Sequence, residues 1–160
     1  MKHTHIGTKL IQATPMTRAD YNILRGWTLP ADERGEDDGY LVEYADGGPG
    51  NVFGYAGYIS WSPKEVFERS YRPSGSLSFG LAVEALKKGE RVARSGWNGK
   101  GMWLAIVNAG QYDVAVGIAG DAKFSPWIAM KTADNKLVPW LASQTDVLAD
   151  DWVVLQWARS

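Results

Sequence analysis

The feature that most limits what this chain can fold into is a break. Arg72-Pro73-Ser74-Gly75-Ser76 follows a helix-like run and precedes a fresh helix start, which is the composition of a short linker. The 160 residues are therefore expected to form two modules, residues 1–74 and 76–160. Each is small enough to be marginal by itself, which favours assembly with other copies or partners.

In the first module the loose alternation from Ile6 to Ala13 reads as a strand. Thr17-Arg18-Ala19-Asp20 has capping-box spacing, with Asp in the place of Glu, and predicts a helix from Arg18 to Leu24. The acidic stretch Ala31 to Gly39 reads as a solvated loop and lacks the spacing of a calcium loop. Tyr40-Leu41-Val42-Glu43-Tyr44 and Gly57-Tyr58-Ile59-Ser60-Trp61 read as paired strands. Ser62-Pro63-Lys64-Glu65 then gives a helix start, with Ser62 as the N-cap and Pro63 at the first helical position, and an end near Tyr71.

The second module opens with Ser78 as a cap. Phe79, Ala82, Val83 and Leu86 follow at helical spacing, and Gly89 stops the run after two lysines. Glu90 to Arg94 is expected as a strand with Val92 inward. Met102 to Val107, almost wholly apolar, is expected as a central strand covered on both faces. Trp127 to Lys131 and Lys136 to Val138 form a hairpin around Thr132-Ala133-Asp134-Asn135. Ser143-Gln144-Thr145-Asp146 repeats the capping-box spacing before a short helix to about Ala149, and Trp152 to Trp157 closes the chain as a strand. These elements do not alternate helix with strand, so the expected class is α+β. It is a mainly antiparallel sheet with packed helices, preceded by a small α+β N-terminal module.

Composition removes several functions. A net charge of −1 gives no general attraction for a long nucleic acid. No apolar run is long enough to span a bilayer, and Met1-Lys2-His3-Thr4-His5 does not lead into a signal-peptide core, so a cytosolic protein is expected. With no cysteine there is no thiol nucleophile, disulfide or cysteine metal site. His3 and His5 stand at a terminus, which argues against a histidine base and leaves no convincing metal site. No cofactor is expected. Asp146, Asp150 and Asp151 keep carboxylate chemistry formally open, but Asp146 already has a structural role in its capping box.

Eight tryptophans are many for this length, and six of them follow residue 90. Trp97 stands in Arg94-Ser95-Gly96-Trp97-Asn98-Gly99-Lys100-Gly101, where three glycines within six residues permit close approach of backbone to a ligand. The indole offers a stacking face, while Arg94, Asn98 and Lys100 offer donors. The segment is not a phosphate loop, because Gly101 stands where Ser or Thr would follow Gly-Lys. A second loop, Pro139-Trp140-Leu141-Ala142-Ser143-Gln144-Thr145-Asp146, pairs a Trp with a hydroxyl, an amide and a carboxylate. Together the two loops can sandwich a purine; spacing alone equally allows both indoles to pack against the rim of the sheet.

Four segments carry a resemblance. They are Ser78-Phe79-Gly80-Leu81-Ala82-Val83-Glu84-Ala85-Leu86-Lys87-Lys88-Gly89, Arg91-Val92-Ala93-Arg94-Ser95-Gly96-Trp97-Asn98-Gly99-Lys100-Gly101-Met102, Met130-Lys131-Thr132-Ala133-Asp134, and Val138 through Trp152. In this order, over about residues 76–157, they resemble the second Thoeris anti-defence family of phages. The resemblance implies a non-enzymatic sponge that binds cyclic ADP-ribose isomers made by bacterial TIR-domain enzymes. Such a sponge would work in the cytoplasm of the infected host, away from membranes.

It further implies a homo-tetramer with pockets between protomers, and cyclic di- or trinucleotides as further ligands. Trp97 and Trp140 would stack on the base and Asp146 would accept hydrogen bonds, with Arg94 and Asn98 as flanking donors. A hydrolase of the same signals using Asp146 or Asp150, or a structural adaptor, are the alternatives. Two departures stand out: Asn108 to Pro126 is longer and richer in glycine than the family pattern, and residues 1–74 look like an extension found on other phage proteins. For that extension a packing or assembly role is favoured over a second ligand site.

Overall fold

The computed structural model describes residues 8–97, 101–108 and 125–155, with Lys2, Thr4 and His5. They fall into two units, Met1–Arg72 and Pro73–Ser160. Asn98, most of the segment from Asn108 to Pro126, and Trp157 at the end of the expected last strand lie outside the described residues.

The first unit contains β1 (Gln12–Pro15), α1 (Arg18–Arg25), β2 (Gly39–Tyr44), β3 (Tyr58–Pro63) and α2 (Lys64–Ser70). Its sheet is antiparallel in the order β1-β2-β3, with Leu41 opposite both Thr14 and Trp61. Thr17 caps α1 by accepting from the Asp20 N–H, and Gly26 ends it at φ 64°. Tyr21, Leu41 and Ile59 form the buried centre, with Met16, Leu24, Val52, Tyr55 and Trp61 around it. Gly39 lies under the Trp61 ring, which any Cβ there would overlap.

Two expectations are corrected in this unit. The strand expected over Ile6–Ala13 begins only at Gln12, and Ile6 and Gly7 lie outside the described residues. Gln12 sits opposite Glu43, and β2 stops one residue later at Tyr44, so the chain before Ile11 has no β2 residue to pair with. Ser62 is not the N-cap of α2: Pro63 holds that position and no side chain caps the helix. Sheet pairing is the reason, since Ser62 and Pro63 remain opposite Tyr40 and Gly39 and Pro63 keeps an extended ψ of 142°. Cross-strand pairing thus outweighs a local helix-start signal.

The second unit contains α3 (Phe79–Lys87), β4 (Arg91–Arg94), β5 (Trp103–Val107), β6 (Trp127–Lys131), β7 (Leu137–Pro139), α4 (Gln144–Val147) and β8 (Trp152–Leu155). Its sheet runs β7-β6-β5-β4-β8 and every pairing is antiparallel. The apolar run does form the central strand, β5. Ser78 caps α3 and Gly89, at φ 84°, follows its end. Ala82, Ala85 and Leu86 from α3 meet Val92, Leu104 and Trp152 from the sheet in one buried cluster. β8 returns beside β4 with Trp152 opposite Arg94. The linker is tied to the same strand, since Leu77 exchanges two backbone bonds with Trp152 and the Gly75 N–H, at φ 99°, donates to the Trp152 carbonyl at 3.0 Å. The fold is α+β. Among the described residues no helix is long and apolar enough to cross a membrane.

Candidate functional site

Trp152 organises the strand ends of the second unit. It is fully buried, and three aromatic rings surround it: Phe79 at 5.5 Å, Trp97 at 5.7 Å and Trp140 at 6.2 Å between centroids. Trp97 and Trp140 meet it edge-on, at 72° and 81°, an arrangement that places a positive ring edge against a negative ring face. Both are only partly buried. Each therefore anchors on the core while keeping some surface outside it. A buried indole N–H needs an acceptor, and Trp152 Nε1 finds it in the Asp146 carbonyl at 3.1 Å.

Asp146 is held from two directions. Its Oδ2 accepts from the Ser143 N–H at 3.2 Å and the Ser143 hydroxyl at 2.6 Å, while its own N–H donates to Ser143 Oγ, completing the capping box that the spacing predicts. Its Oδ1 accepts from Arg94 Nη1 at 3.1 Å. Burial pushes this carboxyl up, but the Ser143 and Arg94 bonds outweigh it and leave Asp146 below the ordinary carboxylate range. A carboxylate offers about four acceptor positions, and donors among the described residues fill three, leaving one on Oδ1.

Arg94 bridges two acids. Besides Asp146, its Nε donates to Asp151 Oδ1 at 2.7 Å, and the bond to Asp151 is the main reason its pKa is raised. Asp151 in turn fastens the Trp97 turn. Its Oδ2 accepts from the Gly96 N–H at 3.1 Å, and its carbonyl accepts from both the N–H and the hydroxyl of Ser95 at 3.0 Å. The Arg94 bond lowers the Asp151 carboxyl most, with burial opposing and the Gly96 N–H assisting.

Of the residues singled out in the sequence, Trp97, Trp140, Asp146 and Arg94 thus gather around Trp152, and Asn98 lies outside the described residues. Asp150 is exposed. Sequence reasoning did not assign Asp151 or Trp152 to the site. Both depend on β8 lying beside β4, which no local motif announces. Among the described residues no group of three or more acidic or histidine side chains could hold a metal ion.

An antiparallel sheet covered by one helix, with partly open indoles and a clamped carboxylate at its strand ends, defines the class of domain. Residues 77–155 match the Thoeris anti-defense 2-like domain. The chain is 45% identical over 84 residues to the Thoeris anti-defense 2 protein of Bacillus phage SP01, an alignment covering 49% of this chain and 94% of that protein. The chain belongs to the Thoeris anti-defence 2 family.

Proposed function

We propose that this protein counters Thoeris defence by binding a cyclic ADP-ribose-type signal and holding it uncleaved in the cytoplasm of the infected host. The observation that carries this reading is the pair of partly open indoles, Trp97 and Trp140, anchored on one buried Trp152 beside the Asp146 carboxylate. Trp97 and Trp140 supply stacking faces, and the remaining lone pair on Asp146 accepts from a base edge or ribose hydroxyl. Arg94 acts mainly by fixing Asp146, since its charge is already shared between two acids. Asn98, the next residue in sequence after Trp97, is a further candidate donor.

Sequestration without chemistry is the simpler reading of the acids. Asp146 is held ionised and three-quarters saturated, which suits an acceptor better than a general acid that must carry a proton at neutral pH. Assembly into a homo-tetramer with pockets between copies draws support from the apolar side chains this unit leaves open. Leu137 and Val138 on edge strand β7, with Leu141, Val147 and Leu148 around α4, are all exposed.

Native mass spectrometry with cyclic ADP-ribose isomers and cyclic di- and trinucleotides tests ligand and stoichiometry together. Trp97→Ala or Trp140→Ala should each weaken signal binding by about 1–3 kcal/mol, the range of one base stacked on one aromatic ring. Heat-released ligand should return intact; turnover by substoichiometric protein would establish a hydrolase instead.

A further inference from the structure

The sheet of the first unit has two faces, and only one belongs to the core already described. Side chains alternate along a strand. Leu41, Ile59 and Trp61 therefore face the cluster around Tyr21, while Tyr40, Val42, Tyr44, Tyr58 and Ser60 face the other way. On this second face α2 lays an aromatic ladder. Phe67 stacks on Tyr40 at 4.2 Å and 24°, and Tyr71 stacks on Phe67 at 4.9 Å and 26°.

Beside the ladder lies a cavity of about 390 Å³ lined by Lys9, Tyr44, Gly47, Tyr58, Ser60 and Tyr71. Its volume falls at the small end of the range for small-molecule sites, roughly 300–1,000 Å³. Among the described residues the lining is three phenol rings, one ammonium and one aliphatic hydroxyl, with no carboxylate. Strand alternation explains the missing acid: Glu43 points to the opposite face, where it accepts from the Ala56 N–H at 2.6 Å. The Lys9 ammonium stands 4.8 Å from the Tyr44 ring centroid, a cation–π contact that holds the charge at the cavity without neutralising it. The Tyr44 and Tyr58 rings are 6.5 Å apart and tilted by 41°.

We propose that this cavity is a binding site for a small anion built on a flat ring, the ring lying against Tyr44 and Tyr58 and the negative group at Lys9. The Ser60 hydroxyl completes it as a donor to the ligand's acceptor atoms. Burial, with the neighbouring Tyr44 hydroxyl, pushes Tyr71 up to about 12, so its phenol keeps its proton and adds no negative charge against the anion. The chemistry is shared by a nucleoside monophosphate and an aromatic carboxylate.

Titration of the full chain with AMP and, separately, with benzoate, followed by saturation-transfer NMR and calorimetry, tests the site and separates the two sources. Lys9 is exposed and Tyr58 is 44% exposed, so Lys9→Gln and Tyr58→Ala should melt close to the wild type. Each should weaken binding of the preferred probe by about tenfold or more, whereas Lys87→Gln, exposed on α3 of the other unit, should leave it unchanged. Binding of AMP alone assigns the site to phosphorylated rings, and binding of benzoate alone to carboxylates. No binding of either probe up to about 1 mM, the weak limit of specific recognition, would overturn the proposal. So would binding that survives Lys9→Gln and Tyr58→Ala but is lost in Trp97→Ala. Failure of the signal-sequestration reading shows instead as absence of cyclic ADP-ribose binding in the wild type, which leaves these outcomes untouched.

Discussion

The two arms that lean on Trp152 are held by different kinds of contact. The Trp97 arm hangs from Arg94 and Asp151, residues 57 positions apart, through a charged bond and a carboxylate that grips the Gly96 N–H. The Trp140 arm is followed by a turn that closes on itself, Ser143 and Asp146 being three residues apart. The first arm has one local turn bond, from the Trp97 N–H to the Arg94 carbonyl at 3.1 Å, but its charged clasp forms only once β8 has docked beside β4, while the turn after Trp140 can form from its own residues. The Arg94–Asp146 bond at 3.1 Å then links the two. The difference gives the arms separate weak points around one shared anchor.

Removing the anchor should abolish the difference and cost most. Trp152 is fully buried, touches both indoles and Phe79, and donates to the Asp146 carbonyl. Trp152→Ala should lower stability by about 3–5 kcal/mol, through lost burial and the cavity it leaves. Denaturant unfolding gives the magnitude. The indole N–H resonances of Trp97 and Trp140 should both shift towards that of solvated indole; a shift of one alone would show that the arms do not share this anchor.

Asp151→Ala should act on the first arm. It strips the Arg94 Nε of its acceptor and leaves the Gly96 N–H unmet. The cost should be about 1–2 kcal/mol, at the lower end because a third of the Asp151 side chain is open to solvent, which screens the pair. Amide exchange should quicken at Ser95–Trp97 and stay near wild type at Ser143–Asp146.

Acid should produce a related effect in the unmutated protein. Asp146 and Asp151 are both lowered in the folded state, so the unfolded chain binds protons more readily. Their contribution to stability is complete above the unfolded carboxylate value of about 3.9 and is lost as pH falls from there through the folded values. Wild-type stability from these groups should be flat from pH 7 to 5 and fall below about pH 4. In Asp151→Ala that fall should be shallower, which chemical denaturation across the pH range would measure.

The same contrast explains what could be read in the sequence. The Ser143 capping box, the Ser78 cap with its Gly89 stop, and the hairpin around Asn135 are local patterns and formed where their spacing placed them. The central strand was legible because Leu104 and its neighbours are apolar without alternation. Asp151 was not legible as the clasp of the Trp97 turn, because nothing near it in sequence names Arg94 as its partner. Ser62 misled for the same reason: its Ser-Pro-x-Glu signal is local, while the pairing with Tyr40 that overrode it is not. At the candidate site Trp97 and Trp140, the proposed stacking residues, announced themselves by type, whereas Asp151 and Trp152, which anchor them, did not.

Ser143→Ala is the smallest and sharpest break, because it removes a side chain that serves only the second arm. The hydroxyl both accepts from the Asp146 N–H and donates to Asp146 Oδ2. Losing an N-cap of this kind typically costs about 1 kcal/mol. Here the surviving Ser143 N–H to Asp146 bond at 3.2 Å and the Arg94 bond keep the carboxylate partly in place, so the loss should not exceed that value. Amide exchange should quicken at Asp146 and Val147, the donors of the first turn, and remain unchanged at Ser95 and Gly96. Equal loosening of both segments would mean that Arg94 couples the arms tightly enough for a local cap to hold a turn some fifty residues away.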